Sequence, residues 1–189
     1  MSFISNLKYL STTNRIAAFD GTKELSFKNL WLRSEAIGVF LQKNGKRGKP
    51  VAIYGDKEND MLSCIFGALK SGRPYVIIPS YYPEERVKDI IEDCDCDFIL
   101  QMSKDKIPYD NRIILTSSDI DNFLLLYEGE EAAKDFYPKS QDTCFILYTS
   151  GSTGTPKGVM ITSNNIKAKI DWCKRYISPH YPSAGGKIL

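Results

Sequence analysis

Short apolar runs alternate along this chain with longer stretches of helical periodicity, and that alternation constrains the fold more than any other feature. Residues 51–54, 75–78, 97–101 and 112–116 each read as a short strand. Between the first two, Met61, Leu62, Ile65, Phe66 and Leu69 recur on one helical face, and Ser71–Gly72 ends that helix. Between the next two, Val87, Ile90, Ile91 and Cys94 repeat the pattern. Pro83, Glu84 and Glu85 open this second helix, since proline suits a first turn and carboxylates suit the positive end of the dipole. Such a β-α-β-α-β order predicts an α/β fold, a mostly parallel sheet flanked by helices. Upstream, residues 16–19 and 25–27 flank Asp20–Gly21 as a small hairpin. A helix follows with Leu30, Ile37 and Leu41 on its buried face, stopped by Gly45 and Gly48. Residues 123–127 form an apolar run that fits a strand or a short helical turn. Downstream come a strand over 143–148, a loop, a strand over 158–162 and a helix. That helix carries Ile166, Ile170, Cys173 and Ile177, with Thr162 or Ser163 as its cap.

Composition narrows the function classes. Lys plus Arg total 25 and Asp plus Glu total 23, so the net charge is +2. That is no basic surplus for nucleic acid or an anionic membrane surface. No apolar run reaches the roughly 18 residues of a membrane span, and the N-terminus has no signal-peptide pattern, which gives a cytoplasmic expectation. The five cysteines (Cys64, Cys94, Cys96, Cys144, Cys173) lie in apolar patterns without paired metal spacing and read as free thiols in a reducing compartment. His180 is the only histidine, which excludes a histidine-based triad or a multi-histidine zinc site within this chain. The acidic run 128–131 reads as a solvated connection. Trp31 and Trp172 read as packing residues, and Tyr75, Tyr81 and Tyr82, which could stack a base, read as core or rim at a strand end.

Residues 149–158 carry the chemistry. They read T-S-G-S-T-G-T-P-K-G, directly after the strand Cys144-Phe145-Ile146-Leu147-Tyr148. Thr149, Ser150, Ser152, Thr153 and Thr155 supply hydroxyls, and Lys157 adds one cation. Gly151, Gly154 and Gly158 allow positive φ and close approach of backbone N–H groups to a ligand. Donors, open backbone and a lysine at the end of a strand suit a polyphosphate. The common nucleotide loop does not fit: counting from Gly151, its second glycine falls on Pro156, and Lys157 is followed by Gly158 and a strand rather than a helix.

The stretch Y-T-S-G-S-T-G-T-P-K-G-V resembles the signature loop of the adenylate-forming (AMP-binding) superfamily, which includes acyl-CoA synthetases, luciferases and peptide-synthetase adenylation domains. Leu69-Lys70-Ser71-Gly72-Arg73-Pro74-Tyr75-Val76 and Tyr82-Pro83-Glu84-Glu85-Arg86 resemble an earlier core motif of the same superfamily. Val51–Gly55, the Gly72–Tyr75 step and Asp171-Trp172 with Gly185-Gly186-Lys187-Ile188 are most similar to the branch that loads D-alanine onto a carrier protein for teichoic acid modification. Two places depart from the pattern: Ile77-Ile78-Pro79-Ser80 stands where proline and then aspartate are usual, and Ser163 where many members have histidine.

The resemblance implies that 1–189 is the N-terminal portion of the large adenylation domain, with the rest of that domain and a C-terminal lid downstream. It implies a ligase that converts ATP and a carboxylate, D-alanine favoured, to an acyl-adenylate and pyrophosphate. The acyl group then passes to a phosphopantetheine thiol on a carrier protein. Thr149, Ser150, Gly151, Ser152, Thr153, Gly154, Thr155 and Lys157 would hold the ATP phosphates. The Mg2+ ligand, the acyl pocket and the catalytic lysine are expected downstream, so this stretch alone is expected to be inactive. A peptide-synthetase adenylation domain, an acyl-CoA synthetase and a non-catalytic nucleotide-binding module are the alternatives.

Overall fold

The structure, a computed structural model, describes residues 3–109, 111–149 and 156–176. Six strands form one sheet in the order β6-β5-β3-β4-β7-β8. They are β3 (Val51–Gly55), β4 (Tyr75–Pro79), β5 (Phe98–Gln101), β6 (Ile113–Thr116), β7 (Thr143–Thr149) and β8 (Lys157–Thr162). All neighbours are parallel except β7 and β8. A separate antiparallel pair, β1 (Ile16–Phe19) and β2 (Glu24–Ser26), makes the expected hairpin.

The helices are α1 (Phe3–Ser11), α2 (Phe27–Asn44), α3 (Asp60–Lys70), α4 (Glu84–Cys94), α5 (Ser117–Leu126) and α6 (Ser163–Tyr176). From β3 the chain steps through α3 to β4, then reverses through α4, passing β3 to reach β5. Right-handed crossovers in opposite lateral directions place their helices on opposite faces. Val51, Ile53, Phe98 and Leu100 accordingly pack with α2, α3 and α5, while Ala52, Tyr54, Val76 and Ile78 pack with Val87, Ile90 and Ile91 of α4. Every residue of β3 is buried, as a central parallel strand requires.

Local chemistry sets the boundaries. Ser26 caps α2 by accepting the Asn29 N–H at 3.1 Å. Gly45 ends α2, and a Cβ there would collide with the Arg73 guanidinium. Thr162 Oγ1 accepts the Asn165 N–H at 3.3 Å and Asn165 returns the bond to the Thr162 N–H, which begins α6 as expected.

Two features differ from the sequence reading, and the choice left open at 123–127 between strand and helical turn falls to helix. Helix α1 was not foreseen; it docks Ile4 and Leu7 beside Leu30 and Trp31. The apolar run near residue 125 belongs to α5, where Ile120 and Phe123 are buried and Leu125 and Leu126 face solvent. Trp172 is 46% exposed on α6, alongside Tyr176, and so is a surface residue, while Trp31 is a core residue. Cys64, Cys94, Cys96 and Cys144 are buried free thiols and Cys173 is half-buried. No helix among the described residues is long and apolar enough to cross a membrane.

Candidate phosphate-binding site

The site is built on the β7–β8 hairpin. Its register pairs Tyr148 with Gly158 and Thr149 with Lys157. Residues directly opposite in an antiparallel pair point to the same face, with Cβ atoms about 5 Å apart. The first hydroxyl and the lysine of the expected set are therefore brought together where the connecting segment leaves β7 and enters β8, both exposed. Ser150, Gly151, Ser152, Thr153, Gly154 and Thr155 lie outside the described residues. The two flanking strands are as expected, and Lys157 begins a strand rather than a helix.

Gly158 has a different reason from the one its sequence suggests. It lies in β8 and is absent from the positive-φ glycines, which among the described residues are Gly21, Gly48, Gly72 and Gly129. A Cβ at 158 would stand 2.9 Å from Ile146 Cγ2 and 3.2 Å from Tyr148 Cζ. The position needs space, not conformational freedom.

The earlier of the stretches that carried the family resemblance meets, in the sheet, the strand that leads into the later one. Tyr75 of β4 pairs with Phe145 of β7, and their rings stack at 5.4 Å. The step Gly72–Tyr75 thus seats the strand that leads to the loop.

Behind that step lie two buried cations that the sequence did not reveal. Lys70 donates to Glu35 Oε1 at 2.8 Å and Ser34 Oγ at 2.7 Å, with its ammonium 3.4 Å from the centre of the Trp31 ring. Glu35 Oε2 in turn accepts the Ala132 N–H at 2.6 Å. Burial pulls the Lys70 ammonium from 10.5 down to about 8, against the opposing attraction of Glu35. Arg73 bonds Asp97 and the carbonyls of Lys49 and Pro50. The available signal was Glu35 standing four residues after Trp31 on the buried stripe of α2. These groups brace the fold and do not face the hairpin end.

An open cleft of about 650 Å³ lies elsewhere, between the β1–β2 hairpin and the starts of α3 and α5. Its guanidinium, Arg33, is committed to Asp60 through Nε and Nη2 and to Asp121 through Nη1. Three of its five N–H groups are thereby taken by carboxylates. Among the described residues no group of three His, Cys, Asp or Glu side chains is placed to hold a metal ion.

Comparison with known proteins bears on the family and the fold. The D-alanine–D-alanyl carrier protein ligase of Bacillus velezensis is 33% identical over 168 residues, covering 87% of this chain and 32% of the ligase. Surfactin synthase subunit 1 of Bacillus subtilis is 36% identical over 145 residues, covering 76% of this chain and 4% of the synthase. The chain thus spans about a third of the ligase's length. The solved structure of VinN with 3-methylaspartate superposes with a TM-score of 0.77 at 18% identity, over 93% of this chain and 52% of VinN, which shows a shared fold. The AMP-binding enzyme profile matches residues 10–186, nearly the whole chain, and the chain belongs to that family.

Proposed function

We propose that residues 1–189 form the N-terminal portion of the large domain of a cytoplasmic adenylate-forming ligase, and that the β7–β8 loop holds the β- and γ-phosphates of ATP. The observation that carries this reading is Thr149 standing opposite Lys157 at the connected end of the hairpin, with a run of serine, threonine and glycine between them in sequence. In the first half-reaction a carboxylate oxygen attacks the α-phosphorus and pyrophosphate leaves. Hydroxyls and N–H groups from 149–155 and the Lys157 ammonium would bind the departing phosphates and offset the charge that builds on them. In the second, a phosphopantetheine thiol on a carrier protein takes the acyl group and AMP leaves. ATP-dependent enzymes of this class use Mg2+ with the nucleotide; no cluster among the described residues fits such an ion, and its ligand would lie downstream.

D-alanine is the favoured substrate, with teichoic acid modification as its use, because the relative matched over most of this chain is a D-alanine–D-alanyl carrier protein ligase. The 36% identity to a surfactin synthase subunit favours a second reading, a peptide-synthetase adenylation domain with another amino acid. The catalytic lysine would lie beyond residue 189, so the 189-residue chain alone would not catalyse ATP–pyrophosphate exchange. Two measurements test the proposal. Tripolyphosphate titrated into the 189-residue chain should bind, and Lys157→Ala should weaken it about tenfold or more. Equal affinity in both proteins contradicts the phosphate role. Pyrophosphate exchange by the complete enzyme with D-alanine, its L-isomer and other amino acids then separates the two substrate readings.

A further inference from the structure

We infer that Asp93, acting through Tyr148, is a positioning residue that fixes the stem of the phosphate-binding loop. The inference rests on the reading of that loop given above. Among the described residues, β7 is paired to β4 at one position, Tyr75 with Phe145. Beyond Phe145 the hairpin therefore depends on side chains for its attachment to the body of the protein. Tyr148 is such an attachment. Its ring is 9% exposed and lies in the cluster formed by Ile78, Val87, Ile90, Ile91 and Cys94. Its hydroxyl donates to Asp93 Oδ2 of α4 at 2.5 Å.

Asp93 is solvent-exposed, and its place in α4 does not itself favour a carboxylate. Asp93 stands in the last turn, at the negative end of the helix dipole, beside Glu92 and with no basic residue in the turn. The bond to Tyr148 accounts for it: a buried phenol needs an acceptor, and a carboxylate makes the stronger, charge-assisted bond. Burial and then this bond raise the phenol well above its ordinary value, which keeps it a donor.

The same ring reaches the other strand. Tyr148 is opposite Gly158, and a Cβ there would lie 3.3 Å from the phenol oxygen. The phenol is thus held by apolar side chains, by Asp93 at its tip and against the backbone of Gly158. Thr149 directly follows Tyr148, and Lys157 directly precedes Gly158. Both anchors of the loop are therefore set by one side chain, and Asp93 sets that side chain.

The test compares the 189-residue chain with Asp93→Ala, Tyr148→Phe and Asp93→Asn, the last of which keeps an oxygen acceptor. Amide hydrogen exchange at Thr149 and Lys157 is read against exchange at the core residues Val76 and Ile99. Asp93→Ala and Tyr148→Phe should speed exchange at the two stem positions by about tenfold relative to the core, and Asp93→Asn should restore most of the protection. Unchanged stem exchange, or a rise shared equally with the core, overturns the inference, since a merely structural role would loosen both. Tripolyphosphate binding is measured on the same samples and should weaken with the stem. A wild-type chain that binds no tripolyphosphate overturns the phosphate reading instead, while the exchange comparison alone decides what Asp93 holds.

Discussion

Replacing Lys70 by methionine tests how the buried charges brace this fold. Lys70 is fully buried and the Glu35 side chain is 5% exposed. Lys70→Met fills nearly the same space but leaves the Glu35 carboxylate with the Ala132 N–H and no counter-charge. Breaking one side of a buried ion pair costs about 3–5 kcal/mol. A typical domain has a total stability of about 5–15 kcal/mol. With a urea slope of about 2 kcal/mol/M, the midpoint should fall by about 1.5–2.5 M. Glu35→Gln combined with Lys70→Met removes both charges and keeps an oxygen for Ala132. It should recover most of the loss, because an apolar replacement of a whole pair is often neutral. The pH dependence has a definite sign. The folded value of Lys70, about 8, lies below 10.5, so between them the unfolded chain binds more protons and stability rises with pH. Below about 8 both states are protonated and the full cost of burying the cation is present. Urea unfolding of the wild type, both single variants and the double variant, at neutral pH and at pH about 10, measures the cycle. A Lys70→Met chain within about 1 kcal/mol of wild type, or a double variant that loses the sum of the two singles, would refute the argument.

Three other outcomes are expected. In the complete enzyme, Lys157→Ala should slow adenylation about ten- to a hundredfold and leave unfolding within about 0.5 kcal/mol, since its exposed side chain has few native contacts to lose. Acyl transfer from a preformed adenylate should change little, and equal losses in the two half-reactions would assign Lys157 to folding or domain geometry. Gly158→Ala should destabilise by about 1–3 kcal/mol in thermal unfolding, because the new methyl meets Ile146 and Tyr148; a neutral result would mean the hairpin yields at that point. Arg33→Ala, at 15% side-chain exposure, should cost about 1.5–3 kcal/mol for the charged bonds that join α2 to α3 and α5, and Arg33→Lys should recover less than half, lacking the planar fork for Asp60. Chemical denaturation of the three chains reads both effects.

Much of the fold was legible because its signals were local. The unbroken apolar run of β3 marks a strand covered on both faces, and Val87, Ile90, Ile91 and Cys94 at helical spacing are all buried. Helix α1 was hidden because only Ile4 and Leu7 mark its buried side, too few for a period. In α5 three consecutive leucines imitate a strand, yet two of them face water. The lysine and the first hydroxyl of the site were legible as a motif, and the hairpin register supplied their placement across from each other. The reason for Gly158 was not legible, since the absence of a side chain looks the same whether it serves rotation or room. Nor were the bonds of Glu35 to Lys70 and of Tyr148 to Asp93, which join residues 35 and 55 positions apart.

The reversed strand β8 closes one side of the sheet, and this has a colloidal consequence. Among the described residues its outer edge carries no strand partner. Val159 is 47% exposed and Met160 is 67% exposed, and the only charge in the strand is Lys157. Such an edge is a template for pairing with another chain, and a lysine on it is one of the common safeguards. Lys157 is thus the one such safeguard that this strand carries. Any variant that removes it exposes an uncharged, apolar border six residues long, so light scattering belongs beside every measurement of its affinity for phosphate.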